Sequence, residues 1–250
     1  MAEKESYCYI HLPKQAGSYI KKVCRKNKNI VFIDEIDPLN QEETLQWYRN
    51  AVANPNVVTF SSVRNPFDLL LSYWFSKFQA SPNRGHMPNY MGVPAEIWDD
   101  MRVRPEPFSK FLEDFVKYKK ERRNNTIWQH YQARFLYFQL FDAQGNCKMD
   151  HVFRQETLTE ELEKFLTGEG FEIEQHVLNE RFNASRIREI SKIDYKEFYT
   201  DSDRALVEEN FKLELDMFGY SYDGLDDSSA PVNPSKLIGP RWSEETWEIL

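Results

Sequence analysis

The first third of the chain alternates short runs of β-branched and aromatic residues with stretches of helical spacing, and few folds accept that alternation. Tyr7–Leu12 reads as a short buried strand and Ser18–Lys26 as a helix. Asn29–Asp34 (NIVFID) reads as a second strand, running into the acidic cluster Asp34, Glu35 and Asp37. Gln41–Ala53 has helical spacing through Leu45, Tyr48 and Val52, and Val57–Val63 (VVTFSSV) is a third strand. Asn65-Pro66 then supplies an N-cap and a proline at the first helical position for a helix over Pro66–Phe78. Such alternation builds βαβ units on a parallel sheet, so the expected fold is α/β in three layers, a central parallel β-sheet flanked by helices. Ligands on such sheets sit at the carboxyl ends of the strands. Lys14 and Arg64 both fall there, just past the first and third strands.

Residues 79–106 are rich in Pro, Gly, Asn and Met and read as a long insertion, of the kind that serves as an acceptor lid. Two aromatic-rich helices are expected near Pro107–Arg123 and Thr126–Phe141, then a polar turn over Asp142–Asn146 and a fourth strand over Met149–Arg154. Thr157-Leu158-Thr159-Glu160 matches a capping box and opens a helix to about Leu166. Ser202–Met217 reads as the last long helix, closed by Phe218-Gly219-Tyr220. The reading is one domain over residues 1–222 and a C-terminal tail over 223–250, whose Trp242, Trp247 and Leu250 point to docking.

Composition narrows the function classes. Hydrophobic residues at 41% suffice for a sizeable core, which argues against wholesale disorder. The 40 acidic residues against 32 Lys and Arg leave a net charge of −8, opposite to the basic footprint of a nucleic-acid binder. An anionic cosubstrate is compatible with that balance, because a few local cations suffice for it. Cys8, Cys24 and Cys147 form no CxxC pair, so neither a disulfide framework nor a metal site is expected. The opening MAEKESYCYI lacks an apolar signal-type run and no stretch approaches roughly 18 apolar residues. The expectation is a cytoplasmic protein without a membrane span, in which the sequons at Asn124 and Asn183 go unused.

Two segments carry chemistry. In YIHLPKQAGSYIKKV a strand meets a short loop that opens on Lys14 and leads into a helix, an arrangement whose backbone N–H groups can converge on a phosphate. It is no Walker A loop, in which the lysine closes a GxxxxGK[ST] run, and no GxGxxG is present. In SSVRNPFDLLLSYW, Arg64 ends a strand and Ser72 follows eight residues later, a little over two helical turns on. A guanidinium fork and a hydroxyl are donors suited to a phosphate.

Together these segments resemble the sulfotransferase superfamily that uses 3′-phosphoadenosine 5′-phosphosulfate (PAPS). YIHLPKQAGS is similar to its 5′-phosphosulfate loop, usually close to PK(T/S)GGTS, and SSVRNPFDLLLSYW to its 3′-phosphate element, RNPxDxxxSxY. Asp150–Glu156 (DHVFRQE), His176–Asn179 (HVLN) and Tyr195–Tyr220 resemble the carbohydrate-sulfotransferase-like branch, so the likeness runs from residue 7 to 222. It implies a P-loop-like sulfotransferase fold with PAPS bound by Lys14, Gln15, Ala16, Gly17, Ser18, Tyr19, Arg64 and Ser72. Lys14 would stand at the leaving oxygen, and no metal is required. Gln15 and Ala16 depart from the family pattern, replacing its hydroxyl residue and first glycine; an alanine suits such a turn while its φ stays negative.

Relatives use a histidine or glutamate as general base. Glu35 is the first choice here, Asp34 the second and His11 a rival, with a solvated turn as the alternative for the two carboxylates. His86, Met87, Tyr90 and Trp98 in the insertion are candidates to line the acceptor pocket, with local packing as the alternative. The acceptor is expected to be a hydroxyl or amine of a small molecule or carbohydrate. Two other readings stay open: a P-loop-like nucleotide kinase or hydrolase, and a PAPS-binding module that has lost catalysis.

Overall fold

A computed structural model of the chain describes residues 6–12, 14–33, 42–78, 108–113, 115–116, 139–178, 194–226 and 231–241. The apolar runs become β1 (Ser6–Ile10), β2 (Ile30–Ile33), β3 (Val57–Val63) and β4 (His151–Arg154). They form one sheet in the order β2-β1-β3-β4 with every pair parallel, Tyr9 facing Phe32 on one side and Phe60 on the other. The helices are α1 (Gly17–Val23), α2 (Glu42–Ala53), α3 (Pro66–Phe78), α4 (Leu158–Gly168), α5 (Gln175–Leu178), α6 (Asp201–Asn210) and α7 (Lys212–Phe218). The chain divides into two units, Met1–Arg64 with Asn124–Asn183 and Asp227–Leu250, and Asn65–Arg123 with Ala184–Asp226.

In the first unit the sheet is buried on both faces. Tyr7, Tyr9, Val58, Phe60 and Phe153 pack beneath Ile20 and Val23 of α1 and Leu162, Phe165 and Leu166 of α4. Tyr9 and Phe60 lie 5.3 Å apart between ring centroids, and Phe60 and Phe165 5.2 Å apart. Strand side chains alternate, so Cys8 and Ile10 face the other way. There Tyr48 of α2 is buried, donating its hydroxyl to the Gln139 carbonyl at 2.7 Å. These three layers are the α/β arrangement the alternation requires. Residues 231–241 also belong to this unit: Ile238 bridges Asn146, and Gly239 N–H donates to the Gly145 carbonyl at 2.8 Å.

In the second unit Asn65 caps α3 as expected, its Oδ1 accepting from Phe67 N–H at 3.1 Å with Pro66 at the first helical position. Around α3 the rings of Phe67, Trp74, Phe108, Phe198 and Tyr199 pack edge to face or tilted. Tyr199 donates to the Phe67 carbonyl at 2.7 Å, and burial pushes its phenol well above the usual range. β5 (Tyr220–Ser221) and β6 (Gly224–Leu225) form a small antiparallel hairpin here.

Several expected boundaries move, each for a local reason. α1 stops at Val23 rather than Lys26, and the following turn brings Asn27 into a paired side-chain contact with the Glu172 backbone at 3.0 and 3.2 Å. β4 begins at His151 rather than Met149, because the Asp150 carboxylate bends back to accept Thr59 N–H at 2.8 Å. The capping box expected at Thr157 does not form: the Thr157 hydroxyl donates to Glu161 instead of accepting a backbone N–H. The last long helix is two helices. Phe211 leaves helical geometry at φ −117° with its side chain buried, while Asn210 Nδ2 takes the Leu206 carbonyl at 2.7 Å. Gly219 then closes α7 at φ +70°, the left-handed geometry that favours glycine at a helix end. The helices expected over Pro107–Arg123 and Thr126–Phe141 lie largely outside the described residues. Among those described, no helix is long and apolar enough to cross a membrane.

A capping box does open α6. Thr200 Oγ1 accepts from Asp203 N–H at 3.2 Å, and Asp203 accepts from Thr200 N–H at 3.0 Å. Thr200→Ala is expected to cost about 1 kcal/mol of stability. Thr157→Ala, which removes no cap, is expected to cost under about 0.5 kcal/mol. Urea unfolding of the two variants side by side checks the contrast, and equal costs would contradict it.

Candidate functional site

The strand order places a crevice. From β1 the chain moves to β2 on one side and then crosses back to β3 on the other, so the carboxyl ends of β1 and β3 flank the point where the winding reverses. Open α/β sheets bind ligands at that point. The Lys14 loop leaves β1 there, and Arg64 directly follows β3 there.

β3 shapes the loop with donors. Arg64 Nη1 donates to the Lys14 carbonyl at 3.2 Å. Ser62 Oγ, fully buried, donates to the Gln15 carbonyl. Ser62 has one proton, and a carbonyl can only accept, so in the 3.0 Å contact between Tyr9 and Ser62 the phenol is the donor. With the Gln15 carbonyl drawn toward β3, the N–H of Ala16 on the same trans peptide points the other way. The N–H groups of Ala16, Gly17 and Ser18 take part in no hydrogen bond among the described residues. Ala16 supplies its carbonyl to Tyr19 and Ile20 N–H at 3.0 and 3.1 Å, which starts α1.

The backbone is held in an uncommon form. Lys14 sits at φ +61° and Ala16 at φ +64°, both left-handed, where a side chain normally costs on the order of 1 kcal/mol. This corrects the expectation that Ala16 keeps a negative φ: the turn demands a left-handed residue there whichever residue occupies it. Gly17 is needed for a different reason. A Cβ on Gly17 would lie 2.0 Å from the His11 ring, which fills that space and stacks near Tyr9 at 6.0 Å between centroids.

The expected site residues separate as follows. Lys14, Gln15, Ala16, Gly17, Ser18, His11 and Arg64 come together at the ends of β1 and β3. Gln15 is nearly fully buried, at 3% exposure, and its Oε1 has no hydrogen-bond partner among the described residues. Ser18 is exposed. Tyr19 turns away into the core, its hydroxyl bonded to Thr159 Oγ1 at 3.2 Å and the Leu178 carbonyl at 3.1 Å. Ser72 is half-buried on α3, in the second unit. Asp34, Glu35, His86, Met87, Tyr90 and Trp98 lie outside the described residues.

Ser62 and Arg154 were not anticipated. Arg154 is 2% exposed at the carboxyl end of β4, in register with Val63. A signal existed: Thr59, Ser61 and Ser62 interrupt a strand buried on both faces, and buried hydroxyls must find partners. Thr59 bonds the Lys148 carbonyl at 2.9 Å, Ser61 the Ile10 carbonyl at 2.7 Å, and Ser62 the loop. Burial pushes the Cys8 and Cys24 thiols up to about 12, which keeps both protonated at neutral pH and removes them as nucleophiles. Among the described residues no group of three or more His, Cys, Asp and Glu could hold a metal ion.

A model of the sulfotransferase family matches residues 1–221. No match is found among curated proteins.

Two substitutions test the loop geometry. Ala16→Gly is expected to stabilise the fold by up to about 1 kcal/mol, the left-handed penalty less the extra unfolded-state freedom of glycine. Gly17→Ala is expected to destabilise by about 1–3 kcal/mol through overpacking. Most of that loss should vanish in a His11→Ala background, where the ring is gone. A double-mutant cycle by chemical denaturation reads the coupling, and additive effects would show that His11 is not what Gly17 accommodates.

Proposed function

We propose, from the premise that this chain belongs to the sulfotransferase family and is a sulfotransferase enzyme, that its sulfuryl donor is PAPS and that the Lys14 loop and Arg64 bind it. The observation that supports this most is the approach of Arg64 to the Lys14 carbonyl at 3.2 Å. It brings two cationic residues to one loop whose N–H groups at Ala16, Gly17 and Ser18 take no hydrogen bond among the described residues and so suit an anion. A ligand carrying two separate anionic groups fits that donor set.

PAPS supplies a sulfuryl group already activated by its bond to phosphate. Lys14 would hold positive charge where negative charge grows on the departing oxygen, an interaction that strengthens in the transition state and so raises the rate. The N–H groups of Ala16, Gly17 and Ser18, with the Ser18 hydroxyl and Gln15, would orient the 5′ end. Arg64 would anchor the 3′ phosphate, as would Ser72 on the strength of its motif. His11, half-buried against Gly17, is the described candidate for accepting a proton from the acceptor; Glu35 and Asp34 remain the other proposed bases. The acceptor is proposed to be a small molecule or carbohydrate carrying a hydroxyl or amine, lined by His86, Met87, Tyr90 and Trp98. A net charge of −8 disfavours a polyanionic glycan in that role.

Thermal unfolding with adenosine 3′,5′-bisphosphate tests the donor. At about a hundred times its dissociation constant the ligand should add about 2.7 kcal/mol of stability. For a chain of this length that is a shift of about 5–10 °C. The shift should disappear in Arg64→Ala and exceed that given by ATP with Mg²⁺. No shift, or a larger one with ATP, would remove PAPS as the donor.

A further inference from the structure

We propose that Ser62 and Arg64 act together as a clamp on the Lys14 loop, which makes Ser62 a positioning residue for sulfuryl transfer and gives Arg64 a second task beside the 3′ phosphate. The inference rests on the donor reading above for its catalytic meaning, and on β3 alone for its structure. Ser62 lies at the end of β3 and Arg64 directly follows the strand, and both side chains reach the loop that leaves β1. They take two consecutive carbonyls of the loop, Gln15 and Lys14 respectively. Those carbonyls lie within the segment whose two ends, Lys14 and Ala16, are left-handed. Left-handed backbone at a lysine and an alanine persists only where the surroundings hold it.

The chemistry follows from where the carbonyls point. An anion at this loop is attracted by N–H groups and repelled by carbonyl oxygens. While β3 occupies the Lys14 and Gln15 carbonyls, those oxygens are withdrawn from the ligand side. Once released, the loop relaxes toward negative φ and its peptides rotate, which exchanges donors for acceptors at the place the 5′ end must occupy. Tyr9 steadies the arrangement from behind by donating to Ser62, which leaves the serine proton for Gln15. A guanidinium carries five N–H donors in a fixed fork, so one that donates to a loop carbonyl is also built to meet a phosphate. A lysine at position 64 would offer a point charge without the fixed fork.

Amide hydrogen exchange on the ligand-free protein reads the clamp directly. Ser62→Ala and Arg64→Ala should each raise the exchange rate of the Gln15, Tyr19 and Ile20 amides, which are bonded to the Leu12 and Ala16 carbonyls, at least tenfold, while those of β1 and β3 stay within twofold. If Ser62→Ala does not fold, Ser62→Cys keeps the volume with a much weaker donor and serves instead. Titration with adenosine 5′-phosphosulfate, which has no 3′ phosphate, reads the consequence for the donor: affinity should fall about tenfold in both variants. An Arg64 that served the 3′ phosphate alone would leave that affinity unchanged on Arg64→Ala, and the clamp would be overturned for Arg64. Unchanged loop exchange in both variants overturns it altogether. Should wild type bind neither adenosine 5′-phosphosulfate nor the 3′,5′-bisphosphate while loop exchange still accelerates in the variants, the clamp stands and PAPS falls.

Discussion

The hydrogen bonds that β3 sends to the Lys14 and Gln15 carbonyls set the orientation of everything at this end of the sheet. A parallel strand normally spends its polar groups on its neighbours and its side chains on the core. β3 does both and still carries Ser62, with Arg64 directly after its last residue, beyond the apolar stretch formed by Val58 and Phe60. The rigidity of the loop is therefore borrowed from the sheet. Phe60 and Tyr9 fix β3 against β1, and the same register that pairs Tyr9 with Phe60 brings Ser62 under the loop that β1 becomes. A core substitution that slid β3 by one residue would turn Ser62 and Arg64 to the opposite face, so register and site geometry are one constraint.

The loop carries two different demands at adjacent positions. At residue 16 the demand is conformational: φ +64° favours a glycine, and Ala16 meets it with strain. At residue 17 the demand is steric: the His11 ring leaves no room for a Cβ, and no substitution is free of that clash while the ring stays. A strained position survives because its cost is on the order of 1 kcal/mol, within what the buried hydrogen bonds from Ser62 and Tyr9 can offset. A clash with an aromatic ring held between strand and loop is harder to relieve, which accounts for glycine at the second position and its replacement at the first.

Much of the fold was legible because the apolar runs obey period two and the connecting segments period 3.6. β3 and α3 fall on the residues that patterning assigns, and the Asn65-Pro66 start is a local signal that needs no tertiary knowledge. The misses are of another kind. Thr157 carries the spacing of a capping box, yet a carboxylate one turn on captures its hydroxyl, and spacing cannot register that competition. Phe211 breaks a continuous helical pattern because its ring is buried, a tertiary preference that overrides propensity. Lys14 and Arg64 were legible as cations at strand ends. That the guanidinium reaches the Lys14 carbonyl was not, since a sequence shows which groups can donate and leaves open which carbonyl turns toward them. Ser62 was hidden by its setting, a small polar residue in a strand whose apolar neighbours carried the reading.

The net charge of −8 and the proposed anion site are compatible because they act over different distances. At physiological ionic strength the Debye length is about 8 Å, so acidic groups scattered over the surface are largely screened at the crevice. Within hydrogen-bond range the balance reverses: Arg64 touches the loop at 3.2 Å, and backbone N–H groups add fixed partial positive charge that salt does not displace. The long-range field therefore discriminates among molecules that approach with large charge, and the short-range donors determine what is held. A donor with compact anionic groups would be bound by the second term. An extended polyanion must also work against the first, so on the proposed reading the acidic surface would bear on acceptor selection and the loop that β3 fixes in place would hold the donor.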